Sequence, residues 1–163
     1  MTAERARELL AALPGVTVGD ATASPDLKVR PTVRPAPIVA QVPTESWRTV
    51  AQLAKDSLGC TFFNFLTAID WKADGLEVIA WVDNLDAGLS IQFRSKLGPG
   101  ATACPSLVPV YRGANWMERE CYDMFGLQFD GHPDPRRILL ADDWEGHPLL
   151  KSYAVDTPYP PYR

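Results

Sequence analysis

Residues 60–97 read CTFFNFLTAIDWKADGLEVIAWVDNLDAGLSIQFRSKL, and this stretch decides the fold. In its last third, Leu89, Ile91, Phe93 and Leu97 alternate with Ser90, Gln92, Arg94 and Lys96. That is the period of two expected for a strand with one wet face. Upstream, Val78, Ile79, Trp81 and Val82 mark a second strand. The aromatic and branched residues of 60–71 predict a third, buried one. Turns at Ala73-Asp74-Gly75 and at Asp83 to Gly88 separate the three.

Outward from this stretch, Ile38 to Val42 reads as a fourth strand. A helix follows in which Trp47, Val50, Ala51, Ala54 and Leu58 share a face. Thr44 is placed to cap it and Gly59 to end it. The order β-α-β-β-β predicts an α+β fold: a small, mostly antiparallel four-stranded sheet with a helix packed on one face. Earlier still, an amphipathic helix is expected from about Ala3 to Leu13, stopped by Pro14-Gly15. Pro25, Pro31, Pro35 and Pro37 then mark an extended arm. After the sheet, residues 97–106 (LGPGATACPS) read as a loop and residues 106–126 as short helical pieces. The last ~35 residues carry several X-Pro steps and little periodicity. Three regions result: an N-terminal helix and proline-rich arm over 1–37, an α+β core over 38–125, and an extended C-terminal, partner-binding segment over 126–163.

The chain of 163 residues is long enough to bury a core unaided. A net charge of -4 and a pI near 5.1 argue against a nucleic-acid binder. Cys60, Cys104 and Cys121 are odd in number and unpaired by any CxxC spacing, which points to a reducing compartment. No apolar run approaches the ~20 residues that cross a bilayer, so a soluble chain is expected. Phosphate-binding glycine loops and nucleophile elbows are absent from the sequence.

The densest charge lies in ERECYDMFG, residues 118–126, followed by LQFDGHPDPRRILL. Placed on a helix at 100° per residue, Met117, Cys121, Met124 and Phe125 cluster on one side. Arg119, Glu120 and Asp123 gather opposite, around Trp116, where Arg119 and Asp123 are spaced to pair. Glu118 falls inside the apolar arc, so it needs a partner there, and the turn at Asp130 to Pro133 brings back Arg136 or Arg137 to brace it. Glu118 and Glu120 diverge by about 160° on a helix and cannot flank one substrate atom. His132 and His147 each precede proline and read as turn-bracing or interface residues. With Cys121 and nearby acids a metal site is the competing reading, although no ligand pair has a knuckle or helix spacing. Asp142 and Glu145 form a candidate capping box for one helical turn.

The run ANWMERECYDMFGLQFDGHPDPRRILLADDWEGHPLLKSY closely resembles the signature of the 30-kDa-type subunit family of respiratory complex I, the C-type subunit of bacterial proton-pumping NADH:quinone oxidoreductase. The matching positions are Glu118, Arg119, Glu120, Asp123, Phe125 and Gly126, then Gly131 to Asp134 with Arg136 and Arg137. A second block holds Asp142-Asp143-Trp144, Gly146 to Leu149, and Lys151. FLTAIDW and CPSLVPVYRGANW are weaker landmarks, so the similarity spans about residues 60–153. Pro135, Ala141 and Leu150-Lys151-Ser152 depart from the family's usual residues.

The resemblance implies a scaffold subunit of the quinone-reducing module, packed against the 49-kDa-type subunit and the iron–sulfur subunits. It implies no catalytic residue and no cofactor or metal in this chain; the iron–sulfur clusters and FMN belong to partner subunits. The charged residues, with His132, Asp134, His147 and Lys151 among them, then form an ion-pair network shaping a docking surface. Thr157 to Arg163 becomes a strap on a neighbouring subunit. The expected location is peripheral, on the cytoplasmic side of a bacterial inner membrane. Related subunits of membrane-bound hydrogenases, formate-oxidising complexes and dehydrogenases with other donors share the pattern. Two rivals from other classes are a metal-dependent enzyme built on His132 and His147, and an independent protein-binding module.

Overall fold

The stripe of Trp47, Val50, Ala51 and Ala54 is fully buried in a helix, as its spacing demands. In the computed structural model, which describes residues 2–20 and 36–154, this helix is α2, Trp47–Asp56. Around it the chain runs α1 (Ala3–Ala11), β1 (Thr17–Asp20), β2 (Ile38–Gln41), α2, β3 (Phe62–Asp70), β4 (Leu76–Asn84), β5 (Leu89–Gly98), β6 (Ala103–Pro105), α3 (Ala114–Phe125) and β7 (Gln128–Asp130). Among these, β1 to β5 form one mixed sheet in the order β1-β2-β5-β4-β3. Only the β2–β5 pair within it is parallel.

The α+β class is as expected, but the sheet has five strands rather than four. The extra strand, β1, lies between the N-terminal helix and residues 21–35, in the region read as helix and arm. It is four residues long, contains Gly19 and has no buried position, so no hydrophobic alternation announces it. Its pairing with β2 creates it. Ala6 and Leu10 of α1 likewise pack into the core. The loop read at 97–106 also hides a strand, because Ala103–Pro105 pairs in parallel with Gln128–Asp130 as a second, two-stranded sheet. Pro25, Pro31, Pro35 and the segment Thr157 to Arg163 lie outside the described residues.

Two further expectations are corrected. The 60–71 stretch is an edge strand, not a buried one: β3 pairs only with β4, and Phe62 is 48% exposed. Its aromatic residues serve side contacts instead, Phe63 on Tyr111 and Phe65 on Trp81. Thr44 does not cap α2. Pro43 leads into a 3-10 turn over Thr44–Ser46, and the Thr44 hydroxyl meets Ser95 Oγ at 3.2 Å. Gly59 does turn the chain out beyond α2, at φ +67°.

The alternation read in β5 holds: Leu89, Ile91 and Phe93 are buried, and Ser95 continues the same face. Val78, Ala80 and Val82 face them from β4 and complete a core shared with all three helices. Glu77 lies on the opposite sheet face and is only 1% exposed. Arg94 binds it through Nε and Nη2 at 3.0 and 2.7 Å, and the Trp71 indole adds a third bond.

Candidate functional site

α3 carries the site because residues 132–149 fold back on it. Its apolar arc packs as the helical wheel requires, with Ala114, Cys121 and Phe125 buried and Trp116 71% exposed. The helix ends at Gly126, where φ is +71°. A Cβ there would stand 2.8 Å from the His147 ring, so the left-handed exit and the close ring both require glycine.

Asp123 is the hub. The wheel placed it opposite the apolar arc and spaced it to pair with Arg119, yet it is fully buried and pairs elsewhere. Arg137 Nη1 donates to Asp123 Oδ1 at 2.6 Å, and the N–H groups of Ile138, Leu139 and Leu140 donate to Oδ2 at 3.1, 2.8 and 2.9 Å. Burial alone would raise this carboxyl. The donors from Leu140, Arg137, Leu139 and Ile138 outweigh it and hold the group down at about 2. The same Arg137 reaches the carbonyls of Trp144 and Gly146 through Nη2 at 3.0 and 3.1 Å. A wheel fixes the direction of a side chain, but it cannot see that residues 137–149 cover that face.

Arg119 does not pair with Asp123. It donates through Nε and Nη2 to the carbonyls of Arg136 and Arg137 at 2.9 and 2.7 Å, and its Nη1 lies 3.8 Å from Asp134. Asp134 instead takes Arg136 through both oxygens, at 2.6 and 2.9 Å, which lowers its pKa.

Glu118 is buried, as its place in the apolar arc predicts, but neither Arg136 nor Arg137 braces it. Its Oε1 accepts from Leu107 N–H at 2.6 Å and its Oε2 from the Ser106 hydroxyl at 2.7 Å. Both arginines are committed elsewhere, and the β6–β7 pairing brings Ser106 under α3 instead. Burial pushes this carboxyl up to about 7, against the lowering effects of Ser106, Leu107 and Arg48. Arg48 went unnoticed in the sequence. From α2 it donates to the carbonyls of Ser106 and Asp130 at 3.0 and 3.2 Å, locking β6 and β7 together. An arginine on the polar side of a helix carries no local sign of such a distant target.

The histidines brace loops. His132 Nε2 meets the Asn115 carbonyl at 3.0 Å and its Nδ1 accepts from Asp134 N–H, while His147 Nδ1 meets the Asp123 carbonyl at 2.9 Å. Carbonyls eight residues apart on one helix are about 12 Å apart, so the two rings sit at opposite ends of α3. Among the described residues no three His, Cys, Asp or Glu side chains gather as a metal site. His132 and His147 thus do not share one site. Asp142 and Glu145 do not open a helical turn either: the segment is a bare turn closed by Trp144 N–H on the Ala141 carbonyl.

The remaining predicted positions are peripheral. Glu120, Asp142 and Asp143 are exposed. Lys151 contributes its backbone, whose N–H binds Asp70 Oδ2 at 2.8 Å and ties the chain to the end of β3. Beside α3 lies a groove of about 390 Å³ lined by Arg119, Tyr122, Phe129, Asp130 and His132, with Glu118 at its inner wall.

A family profile described as the respiratory-chain NADH dehydrogenase 30 Kd subunit matches residues 40–159. The chain is 36% identical over 129 residues to the C-type subunit of NADH-quinone oxidoreductase from Chlorobium phaeobacteroides, covering 76% of each chain. Among solved structures, a chain of the membrane-bound sulfane sulfur reductase, an archaeal respiratory membrane complex, superposes with a TM-score of 0.71 at 21% identity. That match covers 93% of this chain and 85% of the other. A trypsin-resistant fragment of Nqo5 superposes with a TM-score of 0.57 at 20% identity, covering 80% and 94%.

Proposed function

The chain belongs to the family of the respiratory-chain NADH dehydrogenase 30 Kd subunit, and on that premise we propose that it is a non-catalytic scaffold of the quinone-reducing module in the peripheral arm of a proton-pumping NADH:quinone oxidoreductase. Its partners are the 49-kDa-type subunit and the iron–sulfur subunits, which carry the clusters, while FMN resides on the NADH-oxidising side. The complex sits on the cytoplasmic face of a bacterial inner membrane.

One observation carries this reading: the charged groups around α3 are spent on shaping surface. Asp123 and Arg137 hold one loop, and Arg119 holds the backbone of residues 136 and 137. Glu118 is occupied by Ser106 and Leu107. The interior side chains around α3 bind the chain itself. What they produce is an ordered, irregular face, the kind of element that partners recognise.

Purification of the tagged chain from native membranes in mild detergent tests the reading. Recovery together with iron–sulfur and NADH-oxidising subunits is the expected result, and recovery as a lone chain refutes it. A second reading keeps the same role in a complex with another electron donor. The sulfane sulfur reductase chain favours it, since that complex uses the same fold. Hydrogenase- or sulfur-reductase-like companions in the same purification would select it.

A further inference from the structure

Residues 61–63 at the start of β3, residues 109–113 ahead of α3, and Lys55 of α2 together wall a groove of about 480 Å³. These walls are fixed by their own contacts. Phe63 lies on the Tyr111 ring at 5.0 Å, and the Tyr111 hydroxyl donates to the Cys60 carbonyl at 2.8 Å. Lys55 Nζ donates to the Val110 carbonyl at 2.5 Å. Within this frame Phe62 is 48% exposed, and Pro109 and Arg112 are exposed too. Groups held in place beforehand lose little entropy on docking, and aromatic residues and arginine are the anchors that protein interfaces favour.

The charge lining the groove selects what fills it. Lys55 meets only neutral groups, the Val110 carbonyl and the Tyr111 ring centred 5.5 Å away. Neither Lys55 nor Arg112 makes an ion pair among the described residues. No carboxylate stands among the walls. The acids close by in the chain are engaged elsewhere: Asp56 accepts from Gln52 Nε2 at 2.6 Å, and Asp83 is buried and takes Asn64, Trp81 and Ser90. The groove therefore presents two cations without a counter-ion beside aromatic surface.

We infer that it receives an acidic segment of a neighbouring protein subunit, in which an Asp or Glu side chain meets Arg112 and Lys55 and an apolar neighbour covers Phe62. The inference rests on the scaffold reading and adds the chemistry of one partner. A partner without the acid would cover both cations and leave them unpaired, a penalty that selects against it.

The test places p-benzoylphenylalanine at position 62 of the tagged full-length chain, irradiates native membranes and identifies what is crosslinked. The expected product is a peptide of a co-purifying subunit that carries Asp or Glu beside the crosslinked residue. Crosslinking to lipid, to a peptide without an acid, or to nothing overturns the inference and leaves the scaffold reading standing. Retention of that subunit is then followed at salt stepped from roughly 0.05 to 0.5 M. Arg112→Gln should cut it by up to about fivefold at low salt, the worth of one exposed pair, and flatten the salt dependence. Arg112→Glu should cut it further, since it sets like charges against each other. Position 112 is exposed, so urea midpoints of the purified chains should match and exclude unfolding as the cause. An Arg112→Gln profile that overlays the natural one, or an Arg112→Glu chain retained as well as Arg112→Gln, also overturns the inference. Recovery of the natural chain without companions overturns both readings.

Discussion

Replacing Glu118 by glutamine should make the protein more stable at neutral pH, not less. The side chain is fully buried and bound by Leu107 N–H and the Ser106 hydroxyl. Glutamine keeps an acceptor for the first and can donate to the Ser106 oxygen. The difference lies in the charge. Burial raises the folded-state pKa from the usual 4.5 to about 7, so between those values the folded chain binds more protons than the unfolded one. Stability then falls as pH rises through that window and levels off above it. The shift, 7 minus 4.5, is worth about 3 kcal/mol at 1.36 kcal/mol per pKa unit. Glutamine does not titrate, so the advantage of the variant over the natural chain should grow by about 3 kcal/mol between pH 4.5 and 8. Urea unfolding of both chains at intervals across that range measures it. Parallel stability profiles would refute the reasoning. A variant that loses ground toward neutral pH would mean that an arginine holds the carboxylate ionised, the arrangement the sequence predicts.

Asp123→Asn removes the counter-charge of Arg137, a buried pair, and should cost about 3–5 kcal/mol in urea unfolding, with faster hydrogen exchange at the amides of residues 138–140. Because the Asp123 carboxyl is held at about 2, its stabilisation is complete above the unfolded value near 4 and fades as pH falls toward 2. The variant and the natural chain should therefore converge in acid. Gly75→Ala should cost about 3 kcal/mol in the same assay, since φ is +88° and a Cβ would meet the Gly98 carbonyl oxygen at 2.1 Å. Gly98→Ala, also at positive φ but facing open space, should cost only about 1 kcal/mol, and equal losses at the two sites would contradict the steric account.

Wherever a local repeat meets a single core, the sequence by itself determined the outcome. The α2 stripe, the alternation of β5 and the apolar arc of α3 each declare which side is buried, because the helix and strand periods are properties of the backbone. The signature over residues 118–151 also determined the family, being contiguous and therefore readable without a fold. Short strands such as β1 and β6 offer too few residues for a period, and only pairing with a distant segment makes them strands. The partners of the buried charges were likewise decided by tertiary structure. Glu118 sits on the face its position predicts, yet Ser106 and Leu107 reach it because β6 pairs with β7. Asp123 sits opposite the apolar arc, and is dry because residues 137–149 fold over it. A side chain's direction is set within one turn of helix; what covers it is set by chain that returns from elsewhere.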